Sequence, residues 1–370
     1  MNEQLEYSTT EEERAARRAE RVAARQERER KRRRQLLIRI GIAALACVAL
    51  TVCAVLGISI TREGTDGETG ITSEKPDVPT ALKPQPPQNE EPEEEEEPQL
   101  PFALYADERT VTIGDELSSK YAIVIDLTGE TIMAQKSADT VISPASMTKI
   151  LTLLVAAEHV ENLDDTYVID LSITDYCYVN ECSVAGFVRD EAVTVRNLMY
   201  GTILPSGAEA ALGLAMYVAG SHEAFVELMN EKVAELGLSE TAHFTNCVGL
   251  YHKENVCTVY DIAMILRAAM ENEICREVLT TKIYEIPASE EHPEGMILSN
   301  WFLRRIEDYV PDGMEVIGAK TGYVSQAGNC AASIARTADG AYFICVTANT
   351  SSSKQCVQDH VQLYMTFLGY

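Results

Sequence analysis

The hydrophobic pattern divides the chain into four stretches. Residues 1–39 are polar and charged, with no periodic apolar face. Ile40 to Ile60 then runs without a single charge. About 20 apolar residues suffice to cross a bilayer, so residues 40–60 predict one transmembrane helix. No A-x-A cleavage site closes the run, which predicts an uncleaved anchor. Residues 61–100 offer little to bury. Lys83-Pro84-Gln85-Pro86-Pro87 and the run Glu93 to Glu97 predict a disordered, extended linker. From residue 101 to 370, apolar positions recur at helical and strand periods, which predicts one folded domain.

Within that domain, Tyr121–Asp126 and Thr131–Gln135 alternate as a hairpin around Leu127-Thr128-Gly129-Glu130. Met147, Ile150, Leu153, Leu154 and Ala157 make the apolar stripe of a helix. Ser143 is placed to cap that helix and Pro144 to take its first position. Further helices are predicted over Val193–Thr202, Gly207–Ala219, Glu223–Leu236 and Thr258–Met270. In the last, Thr258 and Asp261 are spaced as a capping box. Glu315–Lys320, Cys330–Ala335 and Ala341–Thr347 have strand character, with a turn at Ala338-Asp339-Gly340. A terminal helix covers about Ser353–Leu368. Strands at both ends with helices between predict an α+β fold whose sheet joins the two ends of the domain.

Charge sharpens the first two stretches. The formal net charge of -26 excludes a nucleic-acid partner as the default. The arginines of the tail, ending in Arg30-Lys31-Arg32-Arg33-Arg34, sit just before the apolar run and read as a topology signal. They predict a single-pass cell-membrane protein with its N-terminus in the cytoplasm and the folded domain outside. Ten cysteines include no CxxC pair, so no metal site or cofactor is predicted. Outside the cell, Cys177–Cys182 and Cys247–Cys257 are near enough in sequence to bridge, while buried free thiols remain the alternative.

Candidate chemistry begins at Ser146-Met147-Thr148-Lys149. A hydroxyl and an amine three residues apart on a helix lie side by side. A lysine pressed against an apolar stripe tends to lose its proton, and a neutral lysine can activate a serine. S-x-x-K alone is a weak signal, and Ser351-Ser352-Ser353-Lys354 also matches. Two later pieces add weight, Ser206-Gly207-Ala208 and Lys320-Thr321-Gly322 on a late strand. Ser206 to Glu209 can also be read as a helix capping box.

This ordered set resembles the penicillin-binding protein and serine β-lactamase superfamily, whose signatures are S-x-x-K, S-x-N and K-T-G. Within it the chain is similar to the low-molecular-mass D-alanyl-D-alanine carboxypeptidases. Leu204-Pro205-Ser206-Gly207, the stretch from His243-Phe244-Thr245-Asn246 through Gly249-Leu250 to Tyr260-Asp261, and Gly318-Ala319-Lys320-Thr321-Gly322-Tyr323 carry that likeness. The resemblance implies an antiparallel sheet flanked by helices plus a helical subdomain. It implies hydrolysis of peptidoglycan stem peptides ending in D-Ala-D-Ala, with β-lactams as covalent inhibitors; the bilayer contact through residues 40–60 is expected from the apolar run alone. Ser146 would be the nucleophile and Lys149 its base. Ser206 would face that pair and pass a proton to the leaving amine. Lys320 would hold or steer the substrate carboxylate, Thr321 would donate to it, and Gly322 would let the strand lie against an extended peptide. The N–H groups of Ser146 and Tyr323 would form an oxyanion hole. One departure stands out: Ala208 occupies the place of the S-x-N asparagine. It leaves two alternatives, a β-lactamase or a non-catalytic penicillin-binding, wall-sensing module, although no E-x-x-L-N segment lies between Ser206 and Lys320.

Overall fold

A computed structural model describes residues 102–369. The tail, apolar run and linker expected over 1–39, 40–60 and 61–100 lie outside the described residues. Among the described residues no helix is long and apolar enough to cross a membrane.

The chain opens with β1 (Val111–Thr112), β2 (Tyr121–Asp126) and β3 (Thr131–Lys136). A 3-10 turn at Ala145–Met147 leads into α1 (Thr148–His159). Then come β4 (Thr166–Val168), α2 (Leu171–Val179), β5 (Ala192–Thr194), α3 (Val195–Ile203), α4 (Ala208–Ala219) and α5 (His222–Glu235). They are followed by α6 (Val259–Glu271), α7 (Glu273–Leu279), β6 (Ile283–Ile286), β7 (Met296–Ser299) and α8 (Leu303–Ile306). The chain closes with β8 (Met314–Val324), β9 (Gly328–Thr337), β10 (Tyr342–Thr350) and α9 (Ser353–Phe367).

Six strands form one sheet in the order β1-β3-β2-β10-β9-β8. All its pairings are antiparallel except β1 with β3. The pairing of β2 with β10 joins the two ends of the domain, as the strand pattern predicts. Period-two alternation sends Ala122, Val124, Phe343 and Cys345 to one face, against Phe302, Ile306, Leu363 and Tyr364 of the α8–α9 side. Ile123, Ile125, Ile344 and Val346 point the other way, into the larger core built on α1 and α6. The edge position of β8 leaves one side of that strand unpaired within the sheet.

Helix α1 explains the helical half. Every residue from Thr148 to Ala157 is buried. A helix apolar nearly all round can be satisfied only in the middle of other helices. It packs against α3, α4, α5, α6 and α7. Lys149 is carried into that interior with it. The Thr258–Asp261 capping box forms as its spacing predicts.

Two local expectations fail. Ser143 does not cap α1; its buried Oγ has no hydrogen-bond partner. The helix is entered instead through the 3-10 turn, with Ala145 at φ +47. The Ser206–Glu209 capping box does not form either. Gly207 is the N-cap of α4 without a side-chain bond, because Ser206 and Glu209 are engaged elsewhere.

On the α9 side a polar network is fully buried. Ser333 Oγ meets His360 Nδ1 and Tyr364 Oη, each at 2.7 Å, while Thr347 Oγ1 meets His360 Nε2 at 3.0 Å. Both ring nitrogens are therefore partnered, and burial lowers His360 to a pKa of about 3.

Candidate active site

The start of α1 and the middle of β8 meet at one place. Lys149 Nζ donates to Ser146 Oγ at 3.1 Å and to Val248 O at 2.7 Å. The first contact follows from the i, i+3 spacing that the sequence displays. The second is tertiary and spans 99 residues. Gly322 is what lets β8 come close. A Cβ there would stand 2.9 Å from Ser146 N, 2.9 Å from Cys330 Sγ and 3.0 Å from Ala145 Cβ. Its missing side chain therefore makes room for the start of α1 itself.

Lys320, two residues earlier, is 2% exposed. Its Nζ donates to Ser206 Oγ at 2.9 Å and to Thr321 O at 2.8 Å. Ser206 was expected to face the Ser146–Lys149 pair; its hydrogen-bond partner is Lys320. Ser206 sits at φ +65, a left-handed backbone that serine seldom adopts. Ala145, next to the candidate nucleophile, is held at φ +47. Backbone strain of this kind collects at functional sites.

Comparison with known proteins gives the family. A family profile described as D-alanyl-D-alanine carboxypeptidase matches residues 108–352. The chain belongs to the D-alanyl-D-alanine carboxypeptidase family. A D-alanyl-D-alanine carboxypeptidase of Streptomyces strain K15 is 34% identical over 55% of this chain and 71% of its own length. The carboxypeptidase DacF of Bacillus subtilis is 28% identical over 62% of this chain and 56% of its own length. The crystal structure of the Streptomyces K15 DD-transpeptidase superposes with a TM-score of 0.63 at 28% identity. It covers 69% of this chain and 98% of the other. A D-alanyl-D-alanine carboxypeptidase from Mycobacterium tuberculosis gives 0.61 at 25% identity, over 72% of this chain and 96% of the other. The fold is the DD-peptidase and β-lactamase-like α+β fold, and the protein is a serine-type D-Ala-D-Ala carboxypeptidase hydrolase.

Family membership directs attention to one cleft. A cavity of about 770 Å³ is lined by Ser146, Lys149, Cys182, Ala208, His222 and Tyr323, among others. A concavity of about 840 Å³ lies elsewhere, bordered by Glu273, Lys282, Glu307, Glu315 and Arg336. Two ion pairs on its border are Lys282–Glu307 and Arg336–Glu315, and none of the seven candidate residues borders it. Of the two, the smaller is the one bordered by candidate residues, namely Ser146, Lys149 and Tyr323.

Burial sets the electrostatics of the cleft. Desolvation brings Lys149 down to a pKa of about 8, against the pull of Cys247, Cys182, Glu209 and Cys177. Burial, then the charge of Lys149, pushes Lys320 well below the usual lysine range. Glu209 is pushed up by burial; its Oε1 accepts the Gly186 N–H at 2.7 Å, while Oε2 is buried without a partner.

Other residues hold the pair in place, and sequence reasoning gave them no role. Asn246 Oδ1 accepts the N–H groups of Val248, Gly249 and Leu250, at 3.3, 2.7 and 3.0 Å. That loop delivers the Val248 carbonyl to Lys149. Thr152 Oγ1 donates to Cys247 O at 2.7 Å, and His222 Nε2 accepts the Cys247 N–H at 3.1 Å. Gly249 lies at φ +78, and a Cβ on it would fall 1.9 Å from Ala145 O. The Thr245-Asn246 and Gly249-Leu250 pairs were the available signal, but their partners on α1 are set only by folding. Neither bridge considered from the cysteine spacing forms; all eight described cysteines are free. Cys247 and Cys257 are each fully buried as thiols.

Proposed function

We propose that the protein removes the terminal D-alanine from peptidoglycan stem peptides through an acyl-enzyme on Ser146. The observation that carries this reading is the Lys149 Nζ contact to Ser146 Oγ inside a buried helix. With a pKa of about 8, Lys149 is neutral in a useful fraction at ordinary pH and can take the serine proton as Oγ attacks the carbonyl. The unpaired side of β8 offers backbone groups to an extended peptide, as in strand addition. The N–H groups of Ser146 and Tyr323 stabilise the oxyanion that forms. Ser206, polarised by Lys320, passes a proton to the leaving D-alanine amine. Lys320 is too buried to clasp the carboxylate directly, so it steers by charge while the half-buried Thr321 makes the contact. An arriving carboxylate favours the charged lysine, offsetting its burial. Water then releases the peptide from Ser146. β-Lactams acylate the same oxygen.

The apolar run at residues 40–60 and the arginines before it support a single-pass membrane anchor. They support a cytoplasmic N-terminus with the catalytic domain outside. The linker of residues 61–100 then spaces the domain from the bilayer.

Incubation of the purified chain with a pentapeptide ending in D-Ala-D-Ala should release free D-alanine, and a fluorescent penicillin should label Ser146. Ser146→Ala should abolish both. Labelling that survives in that variant rules out the nucleophile. Binding of the peptide without D-alanine release points instead to a non-catalytic module, with Ala208 as its cause.

A further inference from the structure

Cys177 ends the apolar face of α2, and Cys182 follows it just beyond the helix. The chain folds back sharply between them. Glu181 adopts φ +53, and the Cys182 N–H donates to Cys177 O at 3.0 Å. That backbone bond brings the two cysteines side by side, and each thiol shifts the other's titration. Cys177 is buried, whereas Cys182 is partly exposed and lines the cleft with Ser146, Lys149 and Ala208.

We propose that Cys177 and Cys182 are a redox pair built into the wall of the acyl-transfer cleft, and that their conversion to an intramolecular disulfide speeds acylation of Ser146. The effect on acylation rests on the Ser146 reading above; the disulfide itself does not.

The chemistry assigns the two sulfurs different parts. Cys182 is held below the ordinary thiol value by the Cys177 S–H and by Lys149. The other cysteines with a resolved shift are all raised, Cys177 chiefly by its bond to Cys182 and the rest by burial. Thiolate character and access select the attacking sulfur, so Cys182 reacts first. Given a disulfide-bonded oxidant such as glutathione disulfide, Cys182 Sγ attacks one sulfur and expels one glutathione thiolate. The Cys177 thiol then gives up its proton and attacks Cys182 Sγ, expelling glutathione from the mixed disulfide. Two cysteines are oxidised, one glutathione disulfide is reduced to two thiols, and the protons balance.

The consequence runs through Lys149. The groups that act on its charge are Cys247, Cys182, Glu209 and Cys177, which favour the ammonium, and Lys320, which opposes it. Cys247 is a buried thiol pushed up to about 12 and stays neutral. Cys182 is therefore the thiol near Lys149 whose thiolate form is favoured. A disulfide cannot form that thiolate, so Lys149 gives up its proton at lower pH and more of it is free to act as base. The reduced pair is a brake and the oxidised pair releases it.

The test uses the full chain, prepared either with dithiothreitol or with glutathione disulfide. Trypsin yields one peptide, Ile150 to Arg189, that contains Cys177 and Cys182 and no other cysteine. In the oxidised sample this peptide should lose two hydrogens and resist alkylation. Fluorescent-penicillin acylation should be roughly threefold or more faster than in the reduced sample at pH 7, with the difference vanishing above about pH 9. Cys177→Ser, checked for an unchanged melting temperature, or Cys177→Ala if it is not, should retain basal acylation and trap glutathione on Cys182. Two alkylatable thiols in the oxidised peptide overturn the pairing. A disulfide with identical pH profiles in both samples overturns the effect on the cleft. Absence of labelling at Ser146 in both samples sinks the acyl-enzyme reading, and the effect on acylation with it, whatever the peptide mass shows.

Discussion

Lys320 Nζ donates to Ser206 Oγ at 2.9 Å, linking residues 114 apart in sequence. The bond ties the K-T-G strand to the loop before α4. It also explains why Ser206 is not a helix cap: its hydroxyl faces a buried amine instead of the first N–H groups of α4. Ser206→Ala should leave the fold intact and lower D-alanine release roughly a hundredfold, by removing a positioned proton carrier. Penicillin acylation and peptide hydrolysis should be measured together. If Ser206 acts on the leaving amine, the peptide reaction suffers more than acylation by a β-lactam.

The pH dependence of acylation should report Lys149. The base must be neutral, and its pKa is about 8. The rate of penicillin labelling should therefore rise with pH and level off above about pH 9. At pH 7 roughly one molecule in ten carries the neutral amine, so the rise to the plateau should be about tenfold. Lys149→Met should remove the limb and cut labelling by about a thousandfold. A profile that is flat from pH 6 to 9 in the unmodified protein contradicts Lys149 as the base.

Gly322→Ala tests the packing of β8 against the start of α1. The new methyl would press on Ser146 N and Ala145 Cβ, both held at about 3 Å by backbone on each side. Overpacking of this kind costs about 1–3 kcal/mol of stability. The larger effect should be on acylation, since a displacement of about 1 Å at the nucleophile can cost roughly a hundredfold. Thermal unfolding and labelling rates separate the two. A variant that acylates at the normal rate shows that the strand tolerates the shift.

Acid stability should depend on His360. Its pKa is lowered to about 3 by burial, below the ordinary 6.5. Between those values the unfolded chain binds a proton that the folded protein does not. Stability therefore falls as pH drops from 6.5 towards 3, by about 1.4 kcal/mol per pH unit from this group. His360→Gln, which cannot titrate, should show a correspondingly shallower loss in urea unfolding between pH 6.5 and 4.5. Equal slopes in the two proteins exclude His360 as a source of acid sensitivity.

Much of this molecule is written in local pattern. The hairpin of β2 and β3, the Thr258–Asp261 cap, the late strands and α9 follow from periodicity, because each satisfies its own backbone and buries one face. The Ser146–Lys149 contact is local as well, fixed by helix geometry at i, i+3. The K-T-G and S-x-x-K pieces identified the family without any coordinates. Ser143 and the Ser206–Glu209 box show where local rules mislead. Both were sound capping signals, and both were overridden by partners from distant segments.

Tertiary structure decided what those residues do. Only packing among five helices makes Lys149 a buried amine with a lowered pKa. Only the loop held by Asn246 brings the Val248 carbonyl to it. Gly322 also leaves room for Ser146, a close approach that only the fold sets. Spacing marked Cys182 only as a neighbour of Cys177, yet folding puts it in the cleft beside Ala208. Spacing along a chain determines neighbours within a turn or two of helix. Desolvation and contacts across a hundred residues depend on which surfaces the whole fold brings together.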